Sequence, residues 1–356
     1  MHPYVDHVGL WQQELRDWLP ATIFDAHVHL GPPEVMRSIR EDRKKLALST
    51  FTSLTWEELR DWYPRLFGGR TLVGLAAFPF PLQEVDQDAA NGYMIRLMKT
   101  APEIRGFLLA HPTDAAKSVA AFDAAIAAGV RFSGVKPYFD LLGKSVFETT
   151  MPEFIPEALL EFMDRRRLVL MLHTSGRGMG EKRNQDYLRR VLDQYPNLPI
   201  VLAHMGRYLE AAEFFAFCDS GLLDYPNVYL ETSSATLPEV YRRALAHPGM
   251  RDRLVFGTDL PFGLITGVEA WSKTHGAIFI TRDDYPWNDP ALAAESVQRR
   301  QLTYNTYHVI QAIKSAVEAM HLSAAQSETV KEGIFHRNAE SLFGGSETVH
   351  SACGCP

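Results

Sequence analysis

The sequence predicts an α/β fold, a distorted (β/α)8 barrel, and three observations carry that prediction. Eight short apolar runs of strand length follow one another along the 356 residues. Most are nearly continuous in apolar residues rather than alternating, which is how strands covered on both faces read. Between them lie stretches of helical period such as DAAKSVAAFDAAIAAG, IPEALLEFMDRRR and NQDYLRRVLDQYP. An open doubly wound sheet is the main competitor. It would usually carry a glycine-rich phosphate loop after its first strand, whereas here the first strand runs into HVHLGPPE.

The elements follow in order. A helix is expected over 6–19, from Val8, Trp11, Leu15 and Trp18 at helical spacing, with Pro20 stopping it. The strand runs are 22–30, 72–80, 104–112, 131–139, 168–176, 198–206, 227–234 and 253–263. Long connections at 31–70 and 264–294 follow the first and eighth strands; such loops shape a substrate pocket or form a lid. The barrel is expected over about 22–300, inside one unit spanning 1–345. C-terminal helices are expected over about 297–343, one with the stripe Ile310, Ile313, Val317 and Met320, the last spanning about 328–343. Residues 346–356, with Cys353 and Cys355, read as a disordered tail. Tryptophans read as exposed on the first helix hint at a homo-oligomer.

Composition narrows the function. Lys+Arg total 36 against Asp+Glu 43, for a net charge of -7, and no basic block stands out. Nucleic acid and anionic membrane are therefore not expected as partners. The start MHPYVDHVGL lacks a basic, apolar leader, and no apolar run is long enough to span a bilayer. Three cysteines do not make a disulfide framework. The expected setting is cytoplasmic, and the expected partner is a small molecule.

The chemistry lies at the strand ends, which converge on one mouth of a barrel. His27 and His29 end the first run and, two residues apart on a strand, point to one side. His173 ends the fifth run, His204 the sixth and Asp259 the eighth, while Lys136 lies near the end of the fourth. A lone HxH pair could be hydrogen-bonded core. Four imidazoles and a carboxylate at the ends of the first, fifth, sixth and eighth runs, in that order, point instead to a divalent metal: zinc first, with manganese, iron or nickel also suited. Arg177, in HTSGRG, could clamp a substrate anion. Tyr138 and Glu231, at the fourth and seventh strand ends, could touch substrate or anchor other residues. His111 reads as a hydrogen-bonded strand-end residue, and His7 and His308 as surface or helix residues.

The order HxH, His, His, Asp, with FDAHVHLG, VLAHMG, LVFGTDLPFG and GIFHRNAESLFGG, resembles the amidohydrolase-related branch of the amidohydrolase superfamily. The resemblance runs over about 25–345 and implies a distorted (β/α)8 barrel. That branch contains hydrolases of amides and lactones, decarboxylases and hydratases. In two-metal members a lysine on the fourth strand is carboxylated and bridges both ions. By that resemblance Lys136 would join His27, His29 and Asp259 on one metal, and His173 and His204 on another. The alternative, ranked first, places one metal on His27, His29, His173 and Asp259. Lys136 then stays an amine that holds a substrate carboxylate, and His204 polarises the substrate.

The expected activity is hydrolysis of an amide, lactone or related bond of a small organic acid through a metal-activated water, with Asp259 as general base. A metal-dependent decarboxylase of an aromatic or unsaturated acid is the alternative, and a non-catalytic ligand-binding barrel a further one.

Overall fold

Eight short apolar segments pair side by side because each is too short and too buried to satisfy its backbone alone. The computed structural model describes residues 7–272, 276–288 and 302–344. Its strands are β1 (Thr22–His29), β2 (Thr71–Phe78), β3 (Ile104–Leu109), β4 (Gly134–Lys136), β5 (Val169–Leu172), β6 (Ile200–Leu202), β7 (Val228–Glu231) and β8 (Leu254–Val255). They form one sheet in that order, every neighbour parallel. The chain after β8 closes the ring on β1: Ala26 N donates to Phe256 O at 2.8 Å, Asp259 N to His27 O at 2.8 Å and His29 N to Leu260 O at 2.7 Å. The eight parallel strands with their surrounding helices form the (β/α)8 barrel that the sequence predicts.

The barrel is filled rather than hollow. Phe24, Ala26, Phe78, Phe107, Met171, Val201 and Val255 form one buried cluster inside it. Phe343, on the last helix (Asn338–Gly344), plugs that cluster, its ring 5.7 Å from Phe24 and 5.8 Å from Phe107. Asn338 starts this helix and pins it to the chain around β8, its Nδ2 donating to Arg251 O at 2.7 Å and Leu254 O at 2.8 Å. Those two carbonyls would otherwise lack a donor.

Several elements differ from expectation. The first helix is short, Val8–Leu10 followed by a π turn at Trp11–Leu15. Trp11 is buried and its Nε1 donates to Gly68 O at 3.2 Å; Trp18 is half-buried and edge-on to Phe335. These rings pack within the chain, so the sequence hint of a partner surface loses its basis. His7 is likewise buried, its Nδ1 2.6 Å from Thr303 Oγ1. The final helical stretch begins earlier than 328: Ser323 and Gln326 form a capping box for Ala324–Glu332, and a π turn at Gly333–Arg337 joins it to the last helix. The connection after β8 contains an antiparallel hairpin, β9 (Gly267–Ser272) and β10 (Gly276–Thr281). The expected tail at 346–356 and the start of the helix near 297 lie outside the described residues. No helix among the described residues is long and apolar enough to cross a membrane.

Candidate metal centre

Strand parity aims most of the site. On β5, Val169 and Met171 fill the barrel, so His173, two residues on, follows the same face. On the segment continuing β8, Val255 faces inward and Asp259 lies four residues on. Strand β1 needs a correction to reach the site. Asp25 pairs with Leu75 and Val28 with Ala77, so β1 advances three residues while β2 advances two. This bulge switches the inward face from Phe24 and Ala26 to His27 and His29. His204 enters by a different device, a left-handed backbone at φ 56°; Asp259 has the same φ of 56°. Non-glycine residues in that region cost on the order of 1–3 kcal/mol each and gather at functional sites. Gly257 leaves room: a Cβ there would stand 2.3 Å from Glu231 Oε1 and 2.7 Å from His27 Cβ.

The hydrogen bonds fix what each imidazole can offer. His27 Nδ1 lies 2.8 Å from Glu231 Oε2, and Glu231 also accepts from Ser233 N, Ser233 Oγ and His204 N. Although burial pushes Glu231 up, His27 and these donors hold its carboxyl at about 2, so it is an ionised acceptor. His27 therefore donates from Nδ1. His173 Nδ1 faces Thr174 O at 3.0 Å, His204 Nδ1 faces Ser233 O at 3.2 Å, and His29 Nδ1 faces Pro79 O at 3.4 Å. Carbonyls only accept, so each of these rings donates from Nδ1 and turns an Nε2 lone pair outward, the arrangement metal-ligating histidines use.

Three acceptors then meet. Asp259 Oδ1 lies 3.0 Å from His29 Nε2 and 3.2 Å from His27 Nε2. It is buried and makes no hydrogen bond among the described residues. Two lone pairs and a carboxylate oxygen aimed at one point repel one another unless a cation lies between them. His27, His29 and Asp259 fit a divalent metal on that ground. His27, His204 and Glu231 also cluster, but that group is closed by its own hydrogen bonds.

Charge at the centre follows. Burial and Lys136 push the His27 imidazole down, yet Glu231 and Asp259 outweigh them and raise it, so a positive charge is favoured there even as a proton. Burial lowers His29 and His204 to about 4 and takes His173 well below its ordinary range, leaving neutral rings fit for ligation. Against the burial that pushes it up, the histidines hold Asp259 well below the usual carboxylate range. Burial draws Lys136 down to about 7, against the pull of Asp259 and Glu231. Its Nζ lies 3.0 Å from His27 Nε2 and 3.8 Å from the centre of the Phe78 ring.

A cavity of about 270 Å³ opens over these groups. It reaches His27, His29, Lys136, Tyr138, His173, His204 and Asp259. His173 stands beside rather than within the three-residue cluster, its ring 5.3 Å from that of His204. Arg177 is not on the cavity wall. Its guanidinium is held by Glu213 at 2.5 Å, and its backbone N donates to Glu181. Arg207, which sequence reading passed over, lines the cavity instead. Its only sequence signal is its position three residues after His204. Glu231 touches His27 and His204 from behind rather than the cavity. Both long connections reach the wall: the first supplies Ala47 and Leu48, the second Glu269, Ala270 and Phe279. Arg43 fastens the first, pairing with Glu84 at 2.7 Å and Asp140 at 2.6 Å.

A parallel eight-stranded barrel with an acceptor-only His–His–Asp cluster at its strand ends defines a metal-binding barrel enzyme. A family model described as Amidohydrolase matches residues 76–345. The chain belongs to the amidohydrolase family, whose members are metal-dependent enzymes, hydrolases and decarboxylases among them. The matched segment contains Lys136, His173, His204 and Asp259 and begins after His27 and His29. No curated protein sequence matches the chain. Among solved structures, a 2,6-dihydroxybenzoate decarboxylase from Rhizobium is similar at TM-score 0.54 and 14% identity, covering 92% of this chain and 99% of that one. A dihydroxybenzoic acid decarboxylase from Polaromonas sp. JS666, with bound manganese and the inhibitor 2-nitroresorcinol, is similar at 0.51 and 16%, covering 91% and 97%. A 4-oxalomesaconate hydratase from Rhodopseudomonas palustris follows at 0.50 and 14%, covering 90% and 95%. At these identities the likeness concerns the fold.

Proposed function

We propose that this chain hydrolyses an amide, lactone or related bond of a small organic acid, with His27, His29 and Asp259 holding a divalent metal and His173 completing its ligands. The observation that carries the reading is the unpartnered Asp259 Oδ1 facing two imidazole lone pairs. Zinc is the metal we favour; manganese, bound in the Polaromonas decarboxylase, suits the same donors. A metal held there would polarise the substrate oxygen and make water more acidic.

The chain's own residues supply the rest. Asp259 is ionised and takes the proton from attacking water, then returns it to the leaving group. Glu231 holds the His27 ring in the orientation that presents Nε2. His204 turns an Nε2 lone pair to the cavity, so it acts as a ligand or proton acceptor and polarises a carbonyl only after gaining a proton. Lys136 gives up its bond to His27 Nε2 once that lone pair is taken. It is then available to a substrate carboxylate or, as the neutral amine, to carbon dioxide, which would make it the bridging carbamate of a two-metal site. Tyr138 lines the wall beside His173, the two rings 4.9 Å apart.

Decarboxylation of an aromatic acid is the second reading, supported by the aromatic wall and by the names of the Rhizobium and Polaromonas enzymes. The test is to incubate metal-loaded protein with lactones, N-acyl compounds and hydroxybenzoates and to read products by mass spectrometry. Gain of water supports the hydrolase. Loss of carbon dioxide from a hydroxybenzoate, with amides and lactones untouched, overturns it.

A further inference from the structure

The two segments that carry His27, His29 and Asp259 are fastened to one buried carboxylate outside the centre. Asp25 lies on β1, fully buried and off the cavity wall. Its Oδ1 accepts from His27 N at 3.2 Å and from Thr258 N at 2.9 Å, and its Oδ2 accepts from Thr258 Oγ1 at 2.6 Å. His27 belongs to the bulge that turns it and His29 inward. Thr258 precedes Asp259, and its Oγ1 also accepts from Leu260 N at 3.1 Å. Thr306 Oγ1 donates to the Thr258 carbonyl at 3.2 Å. Thr258 is thereby held at its amide, its hydroxyl and its carbonyl.

Both segments depart from regular backbone. A bulge interrupts the ladder of β1. Asp259 stands in left-handed backbone at φ 56°, which a non-glycine residue keeps only where its surroundings over-determine it. Asp259 N also donates to His27 O at 2.8 Å, and Gly263 N to Asp259 O at 3.1 Å, so the turn does not depend on Asp25 alone. What the carboxylate adds is register. Two amides, one from each segment, converge on a single oxygen, and a shift of either segment would leave a fully buried acceptor short of a donor. We propose that Asp25 is a positioning residue: acting through Thr258 and the His27 amide, it sets the spacing of Asp259 from His27 and His29, and with it the coordination geometry offered to the metal. This role rests on the metal centre of the proposed function, and it is the same whether hydrolysis or decarboxylation takes place there.

The experiment uses Co2+ as the probe metal and reads two quantities. Chelator competition gives affinity, and the visible d–d bands of the bound ion report coordination geometry. Urea denaturation of each variant without metal gives stability separately. Asp25→Ala is expected to bind Co2+ about tenfold more weakly, or worse, and to shift its bands. Asp25→Asn keeps an oxygen for both amides and offers an amide group to Thr258 Oγ1, so it should stay within about threefold of wild type with unshifted bands. Thr258→Val removes the hydroxyl and should also lose about tenfold, and Thr258→Ser should recover it. That pair decides the question if Asp25→Ala does not fold. Folded Asp25→Ala and Thr258→Val proteins with wild-type Co2+ affinity and bands, and only lower stability in urea, would make Asp25 purely structural and overturn the proposal. Equal loss in Asp25→Asn and Asp25→Ala would assign the effect to charge rather than position and overturn it too. A wild type that takes up no Co2+ overturns the metal centre and this role together, whereas product analysis with lactones, amides and hydroxybenzoates bears only on the reaction.

Discussion

Glu231→Gln separates metal binding from substrate binding, because Glu231 reaches the site through His27 and His204 and not through the cavity wall. The side chain is fully buried and accepts from His27 Nδ1 at 2.8 Å, Ser233 Oγ at 2.8 Å, Ser233 N at 2.5 Å and His204 N at 3.2 Å. Glutamine keeps the shape but replaces one acceptor oxygen with a donor. Whichever way the amide turns, a donor meets a donor. If it meets His27, the ring is driven to the other tautomer and its Nε2 lone pair is lost. Loss of such an orienting carboxylate typically lowers metal affinity about 10- to 100-fold.

The stability cost has the same origin. The Glu231 carboxyl lies at about 2 in the folded chain, against an ordinary 4.5. At roughly 1.4 kcal/mol per pH unit, its ionised form contributes about 3 kcal/mol of folding stability. The folded value is depressed, so this contribution is fully present above about 4.5 and is lost as pH falls towards 2. Chelator competition gives metal affinity, and urea denaturation at pH 7 and pH 4 gives stability. The variant should bind metal at least about tenfold more weakly and lose roughly 3 kcal/mol at pH 7, less at lower pH. Wild-type metal affinity in a folded Glu231→Gln protein would refute the tautomer argument.

Three further outcomes follow from local geometry. Gly257→Ala should fold less stably and bind metal poorly, since its Cβ would press on Glu231 Oε1 and His27 Cβ; chelator competition checks it. Arg43→Met leaves Glu84 and Asp140 unpaired and largely buried, so about 3 kcal/mol of stability should go, and KM should rise as Ala47 and Leu48 lose their support. Unchanged KM would detach that loop from the cavity. Burial pushes the Cys218 thiol up to about 12, so it should resist iodoacetamide in the folded protein and react after denaturation, as peptide mapping would show.

Fold class was legible because closure needs only eight buried runs in alternation with helices. Strand ends were not, since the runs continue into the site: β6 stops at Leu202 and β8 at Val255, with His204 and Asp259 beyond them in left-handed backbone. His27 and His29 were legible as a pair, yet their inward direction depends on a bulge that periodicity does not reveal. Arg207 and Arg177 illustrate the limit. Both are arginines just past a strand-end histidine, and which one reaches the cavity is decided by Glu213, on a helix that sequence proximity does not connect to Arg177. The β9–β10 hairpin was hidden because a long connection shows its length before its pairing.

Metal content per chain tests the central claim most directly. Wild type and Asp259→Asn are purified without added metal or chelator and analysed for elements alongside far-UV circular dichroism. The account predicts at least one equivalent of a divalent transition metal in wild type, and its loss in a folded Asp259→Asn variant. Two equivalents would point to a carboxylated Lys136 bridging His27, His29 and Asp259 to His173 and His204. A folded wild type that neither carries nor takes up metal, or an Asp259→Asn variant that retains it in full, would contradict the account.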